Sequence, residues 1–256
     1  MYSISSGSFI DLVQGVAMRV KTGINGLDEL IEGGFPEKST ILVSGTPGTG
    51  KTLFCLQYIH KGLELGESGI YITLEEKPEE LRREAKRFSW DLKKYEDLKK
   101  LVILDASARV GLPQTEKYFV EDLDIENLLN KIYDICLEIK AKRLVLDSLP
   151  PLFEKEESIR SKIHKIGRIL NEISCTSLVV SETLDENRFS RFGIEEFIAR
   201  GLIMLNLEEI ESRLRMRECR RSIFIRKMRE TKHKVRRYPF YIGENGINID
   251  VKGELL

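Results

Sequence analysis

Glutamine is scarce in this chain: among 256 residues it stands only at positions 14, 57 and 114, while charged residues make up 32%. Few thermolabile amides beside many charges is the balance expected of a protein from a thermophilic source. Cysteine is thin as well. Cys55, Cys136, Cys175 and Cys219 are widely scattered without a CxxC pair, and the three histidines do not cluster. Neither a zinc site nor a disulfide framework is indicated, and buried free thiols in a reducing cytosol are the expectation. No apolar run approaches membrane-spanning length, and the N-terminus lacks a basic region followed by an apolar core. The chain therefore reads as soluble and cytoplasmic, with no membrane attachment. Net charge of one sign is also missing, since 41 Lys and Arg balance 41 Asp and Glu. No global field draws the protein to nucleic acid or anionic lipid.

What is present is concentrated in one stretch. Gly45-Thr46-Pro47-Gly48-Thr49-Gly50-Lys51-Thr52 fits GxxxxGK[ST]. It follows the apolar run Ser39 to Ser44, which reads as a buried parallel strand, and precedes Leu53, Leu56, Ile59 and Leu63, whose spacing predicts a helix beginning at the lysine. Both flanks are needed. Glycines let the backbone curl into a nest of N–H donors, the helix N-terminus adds its positive end, and the lysine reaches the β- and γ-phosphates of a nucleotide. Thr46 to Leu53 is the expected binding segment, with the Thr52 hydroxyl available to Mg2+.

The length suits one large α/β domain, spanning 21–256 after an N-terminal arm at 1–20 that shows no sustained period. Turns and a short helix at 22–36 lead into the first strand. Gly69 to Leu74 predicts a second strand ending on Glu75-Glu76, and Pro78 suits the first turn of a helix with Leu81, Ala85 and Phe88 on its apolar face. Leu101 to Leu104 predicts a third strand, and Asp124 a cap for a helix carrying Leu128, Ile132, Ile135 and Ile139. A fourth strand runs from Arg143 to Ser148. Ile159 to Ile173 reads as an amphipathic helix and Ser177 to Ser181 as another strand. Alternating apolar strands and helices predict a mainly parallel sheet covered on both faces. From Gly201 onward strands joined by short turns predict an antiparallel C-terminal extension.

Two acidic features join the phosphate loop. Asp147 closes an apolar strand, where a carboxylate can hold magnesium's water shell; taken alone, such an aspartate is more often a helix cap or turn residue, and only the upstream phosphate loop reverses that. Glu75 and Glu76 end the neighbouring strand, where a carboxylate could deprotonate the attacking water. Their plainer alternative is a solvated acidic turn, since Glu79 and Glu80 follow at once.

Four segments carry a resemblance over about residues 20 to 250: TGINGLDELIEGGFP at 22–36, the phosphate loop, YITLEEKPEEL at 71–81, and the pair RFGIEEF at 191–197 and KMRETKHKVRRYPF at 227–240. Together they resemble the KaiC family of RecA-type ATPases, in a form with one domain. The resemblance implies a RecA-like fold, ATP and ADP as ligands with Mg2+, and the catalytic base among Glu75 and Glu76. It also implies a homo-oligomer, a hexameric ring with shared nucleotide sites, in which Lys227, Arg229 and His233 reach the neighbouring subunit's nucleotide. Lys227 and Arg229 are two apart on a predicted strand, so both are expected on one face, as a grip on one triphosphate requires.

The stretch from Arg213 to Arg237 is dense in Arg and Lys and could instead track a nucleic-acid backbone, but few aromatics accompany it. A subunit-interface role is favoured over nucleic acid. The duplicated members of the family phosphorylate themselves on a Ser-Thr pair near the segment that reads Phe197-Ile198-Ala199-Arg200-Gly201 here. Neither hydroxyl is present, so autokinase activity is not expected. A regulatory or signalling ATPase is the leading expectation. Alternatives are a RadA paralogue in DNA repair and an assembly component of the archaeal motility motor. Against a full recombinase, no Phe is followed by Ala three positions on, and no helix-hairpin-helix-like N-terminal domain precedes the core.

Overall fold

A computed structural model describes residues 18–107, 116–121, 124–153, 159–184, 188–211 and 217–253. In chain order, β1 (Arg19–Val20), α1 (Leu27–Leu30) and β2 (Phe35–Pro36) precede β3 (Thr40–Gly45), α2 (Lys51–Glu64) and β4 (Gly69–Thr73). There follow α3 (Pro78–Lys86), α4 (Leu92–Asp97), β5 (Leu101–Asp105), α5 (Ile125–Glu138), β6 (Arg143–Asp147), α6 (Ile159–Glu172) and β7 (Thr176–Glu182). The chain closes with β8 (Gly201–Glu211), β9 (Arg217–Met228), β10 (Arg237–Gly243) and β11 (Gly246–Ile249). Most of the expected arm, residues 1–17, lies outside the described residues. Its last two residues form β1, which pairs with β2.

Nine of the described strands form one sheet in the order β11-β10-β9-β8-β3-β7-β6-β4-β5. Strands β8, β3, β7, β6, β4 and β5 run parallel, and β9, β10 and β11 extend the sheet antiparallel, as the sequence predicts. Strand residues alternate between two apolar layers. Ile41, Val43, Tyr71, Val145, Leu178 and Val180 pack on the side of α2 and α3. Leu42, Ile70, Ile72, Leu144, Leu146 and Val179 pack on the side of α5 and α6. Burial on both faces explains why the strands read as unbroken apolar runs. Asp124 caps α5 as expected, accepting from the N–H groups of Glu126 and Asn127. Helix α3 ends at Lys86, so Phe88 packs on the core from the turn beyond it.

One buried cation fastens a helix to the sheet. Arg143, 1% exposed, donates from Nε to Glu67 at 2.6 Å and from Nη1 to the carbonyls of Lys21 and Tyr58, both at 2.8 Å. Its guanidinium lies 4.6 Å from the Tyr58 ring centre. Gly62 makes the room: a Cβ there would stand 2.3 Å from Arg143 Nε. No helix among the described residues is long and apolar enough to cross a membrane.

Candidate functional site

Parallel register brings four strand ends to one place. Gly45 of β3 pairs with Glu182 of β7, and Thr73 of β4 pairs with Asp147 of β6. These are carboxyl ends of strands, where open α/β sheets hold ligands. From Gly45 the loop turns into α2. Gly48 and Gly50 have φ of +79° and +98°, a region in which a side chain is strained. Thr49 is buried and its Oγ1 donates to the Thr46 carbonyl at 2.8 Å, closing the loop on itself. Helix α2 begins at Lys51 with no side-chain cap. Its first N–H groups are therefore left for an anion.

The loop, with Asp147 and the two glutamates, encloses a cleft of about 300 Å³. Pro47, Gly48, Gly50, Lys51, Thr52 and Leu53 line it, facing Glu75, Glu76 and Asp147, while Thr46 and Thr49 shape the loop from behind. Lys51 is 9% exposed; its ammonium donates to the Thr46 carbonyl at 3.0 Å and lies 3.6 Å from Glu182 Oε1. Asp147 accepts from Tyr71 Oη at 2.6 Å and lines the cleft together with Thr52. The Ser148 hydroxyl donates to Glu75. Thr73 Oγ1 donates to the Glu76 carbonyl at 2.6 Å, which fixes the turn carrying both glutamates. The residues fit a magnesium nucleotide: a donor-rich loop end, one lysine, and a hydroxyl–carboxylate pair able to hold a hard cation together with phosphate oxygens and water.

Electrostatics sharpen the picture. Burial pushes the Asp147 carboxyl up to about 6, against the lowering effects of Tyr71 and Thr52. Burial pushes Glu76 up to about 7, with Glu84, Asp147, Glu80 and Glu75 adding repulsion. Burial also raises Glu84. Because the folded value of Glu76 lies above the ordinary 4.5, the folded state binds more protons between those values. Its contribution to stability is then full below about pH 4.5 and lost as pH rises through about 7. Melting curves of the protein without nucleotide should show this. The Tm of wild type relative to Glu76→Gln is expected to fall by on the order of a few degrees from pH 5 to pH 8; parallel pH profiles would contradict it.

The three expected basic residues lie elsewhere in the subunit, none lining this cleft. Strand β9 ends at Met228, one residue before Arg229. Leu202 pairs with Lys227 but Ile203 pairs with Ile225, so a bulge at Arg226 interrupts the alternation. Lys227 lies on the strand and Arg229 just beyond its end, which corrects the expectation that both project from one strand; the bulge precedes Lys227 and leaves the step from Lys227 to Arg229 untouched. Lys227 donates to the carbonyls of Ala199 at 2.6 Å and Glu196 at 3.4 Å, and burial lowers its pKa. Arg229 is exposed, and its side chain has no hydrogen bond or ion pair among the described residues. His233 Nδ1 lies 3.1 Å from the Thr231 carbonyl, beside a separate cleft of about 420 Å³ that it shares with Lys232, Lys234 and Arg236. Arg213 and Arg215 of the basic stretch fall outside the described residues.

Sequence reasoning passed over Tyr71, Glu84, Ser148, Glu182 and Arg221. The signal for Glu182 was its place at the end of a strand beside the phosphate-loop strand; the others needed the register. Arg221 Nη2 lies 3.5 Å from the Gly48 carbonyl. It borders a shallow groove of about 320 Å³ with Phe240, Tyr241 and Ile242.

Known proteins resemble this chain over most of its length. The family model described as ATPase: KaiC matches residues 20–254. A UPF0273 protein of Pyrococcus horikoshii is 42% identical over 234 residues, covering 90% of this chain and 92% of the relative. A UPF0273 protein of Thermotoga maritima is 42% identical over 236 residues, covering 90% and 95%. The crystal structure of a KaiC-like protein from Pyrococcus horikoshii superposes with a TM-score of 0.79 at 44% identity, covering 91% of this chain and 99% of the other. A phosphate loop set among strand-end carboxylates and a family match running almost the whole length place the chain in the KaiC family of ATPases.

Proposed function

We propose that this chain is a slow, magnesium-dependent ATP hydrolase that works as a ring, hexameric in the resembled family, and serves regulation or signalling without phosphorylating itself. The observation that carries the reading is the meeting of Lys51, the Thr52–Asp147 pair and Glu75–Glu76 in one cleft. Thr52 and Asp147 would hold the magnesium, which supplies charge neutralisation on the phosphate oxygens. Lys51 and the N–H groups of the loop orient the phosphates. Glu76, with its carboxyl near neutrality, accepts the proton of the attacking water. Glu75, fixed by Ser148, stands beside it as a second carboxylate. Arg221, Tyr241 and Ile242, at the outer side of Gly48 and Gly50, offer a flat surface to the nucleoside.

Lys51 is the one cation lining the cleft among the described residues, against the carboxylates of Glu75, Glu76, Glu84, Asp147 and Glu182. So acidic a site lacks a second positive charge for the transition state, and turnover in a lone subunit is therefore expected to be slow. A neighbour can supply one. Arg229 suits this role because its guanidinium is exposed, whereas Lys227 is held by carbonyls of its own chain and so supports the segment from within. A mixing experiment tests the shared site. Lys51→Ala subunits keep Arg229 but lose the phosphate lysine; Arg229→Ala subunits keep the loop. With subunit exchange verified by native mass, mixtures are expected to turn over ATP at several times the sum of the parents. Activity at that sum in verified mixed rings would reject the shared site. The exposed run Lys232 to Arg237 would then point to nucleic acid, read by salt-dependent DNA binding.

A further inference from the structure

We infer that Glu182 is a rival of the nucleotide's phosphates for Lys51, and so sets how tightly this site holds ATP; the inference rests on the nucleotide reading above. Glu182 is the last residue of β7, and its place is fixed by the sheet. It pairs with Gly45, and the next N–H, that of Thr183, donates to the Gly45 carbonyl at 3.1 Å. On its other side, buried Ser181 donates to Glu195 Oε1 at 2.9 Å and accepts from the Arg191 N–H at 3.3 Å. Glu195, fully buried, also accepts from Ser190 Oγ at 2.7 Å and from the N–H groups of Phe192 and Ile194. The backbone is thus pinned at both neighbours, and the Glu182 side chain alone, 28% exposed, is left to turn.

That side chain has one partner among the described residues, the Lys51 ammonium at 3.6 Å. The other strand-end carboxylates are differently engaged: Asp147 with Tyr71, and Glu75 with Ser148. Lys51 offers three N–H donors, one of which is taken by the Thr46 carbonyl. A phosphate approaching Lys51 meets the Glu182 carboxylate at the same cation, in a cleft already rich in negative charge. Two anions at one largely buried ammonium repel each other, so bound phosphate must displace Glu182 or tolerate it. Either way the carboxylate costs affinity.

Glu182→Gln keeps the shape and removes the charge. Isothermal titration of the full-length chain with MgATP is expected to give a Kd about tenfold lower in Glu182→Gln than in wild type, and lower again than wild type in Glu182→Ala. Because the effect is electrostatic, the gain should shrink when ionic strength is raised from about 0.05 to 0.5 M. Loss of a merely structural contact would weaken binding, so tightening separates the two roles. Unchanged or weaker affinity in both variants, with wild type binding normally, would overturn the inference alone. Wild type that fails to bind MgATP would overturn the nucleotide reading and this inference with it.

Discussion

Lys51→Ala is expected to weaken MgATP binding by about 100-fold or more while leaving the fold intact. Lys51 is largely buried at the mouth of α2, its ammonium directed back over the loop to Thr46. No other cationic side chain among the described residues lines the cleft, so none within it can take over the contact of Lys51 with phosphate. Removing it leaves the loop carbonyl and Glu182 near solvent, and Glu182 is already 28% exposed. The stability cost should therefore be small. Calorimetric titration, with melting curves as the folding control, checks both parts. Near-normal affinity in a folded variant would remove Lys51 from the phosphate site.

Glu76→Gln is expected to lower kcat by about 100-fold or more, the scale for losing a general base, while ATP affinity stays within about threefold of wild type. The amide preserves shape and cannot accept the proton. Glu75→Gln should cost less, because the Glu75 carboxylate accepts from Ser148 and stands exposed, whereas Glu76 is half-buried. Single-turnover hydrolysis beside equilibrium binding separates chemistry from affinity. Wild-type rates in Glu76→Gln would reduce the acidic pair to a solvated turn.

Much of this architecture was legible because the sheet is buried on both faces. Leu42 and its neighbours on either side serve opposite layers, so the strands announce themselves as apolar runs, and Asp124 and Pro78 mark helix starts by their own chemistry. The phosphate loop was legible for the same local reason. What was hidden depends on register or on where an element stops. Helix α4 is only six residues long, and its signal was the capping carboxylate of Asp91. Tyr71 and Asp147 meet because β4 and β6 are parallel neighbours, which no spacing within either strand reveals. Lys227 and Arg229 were read as sharing a strand because the apolar run gives no sign of where β9 stops, and it stops at Met228, one residue short of Arg229. Arg143 reads in sequence as the polar first residue of a strand; its burial follows from Gly62, on a helix distant in the chain.

That buried arginine has a bearing on recognition at the opposite end of α2. Lys51 begins the helix and Gly62 lies eleven residues on, roughly 16 Å along the axis. At the far end Arg143 joins Glu67, Lys21 and Tyr58; at the near end β3 enters the loop. A helix clamped at both ends cannot tilt to meet its ligand. The orientation of its terminal amides is settled during folding, so little conformational entropy remains to be lost on association. Preorganisation of this kind moves the expense of building an anion site from each binding event to the stability of the fold.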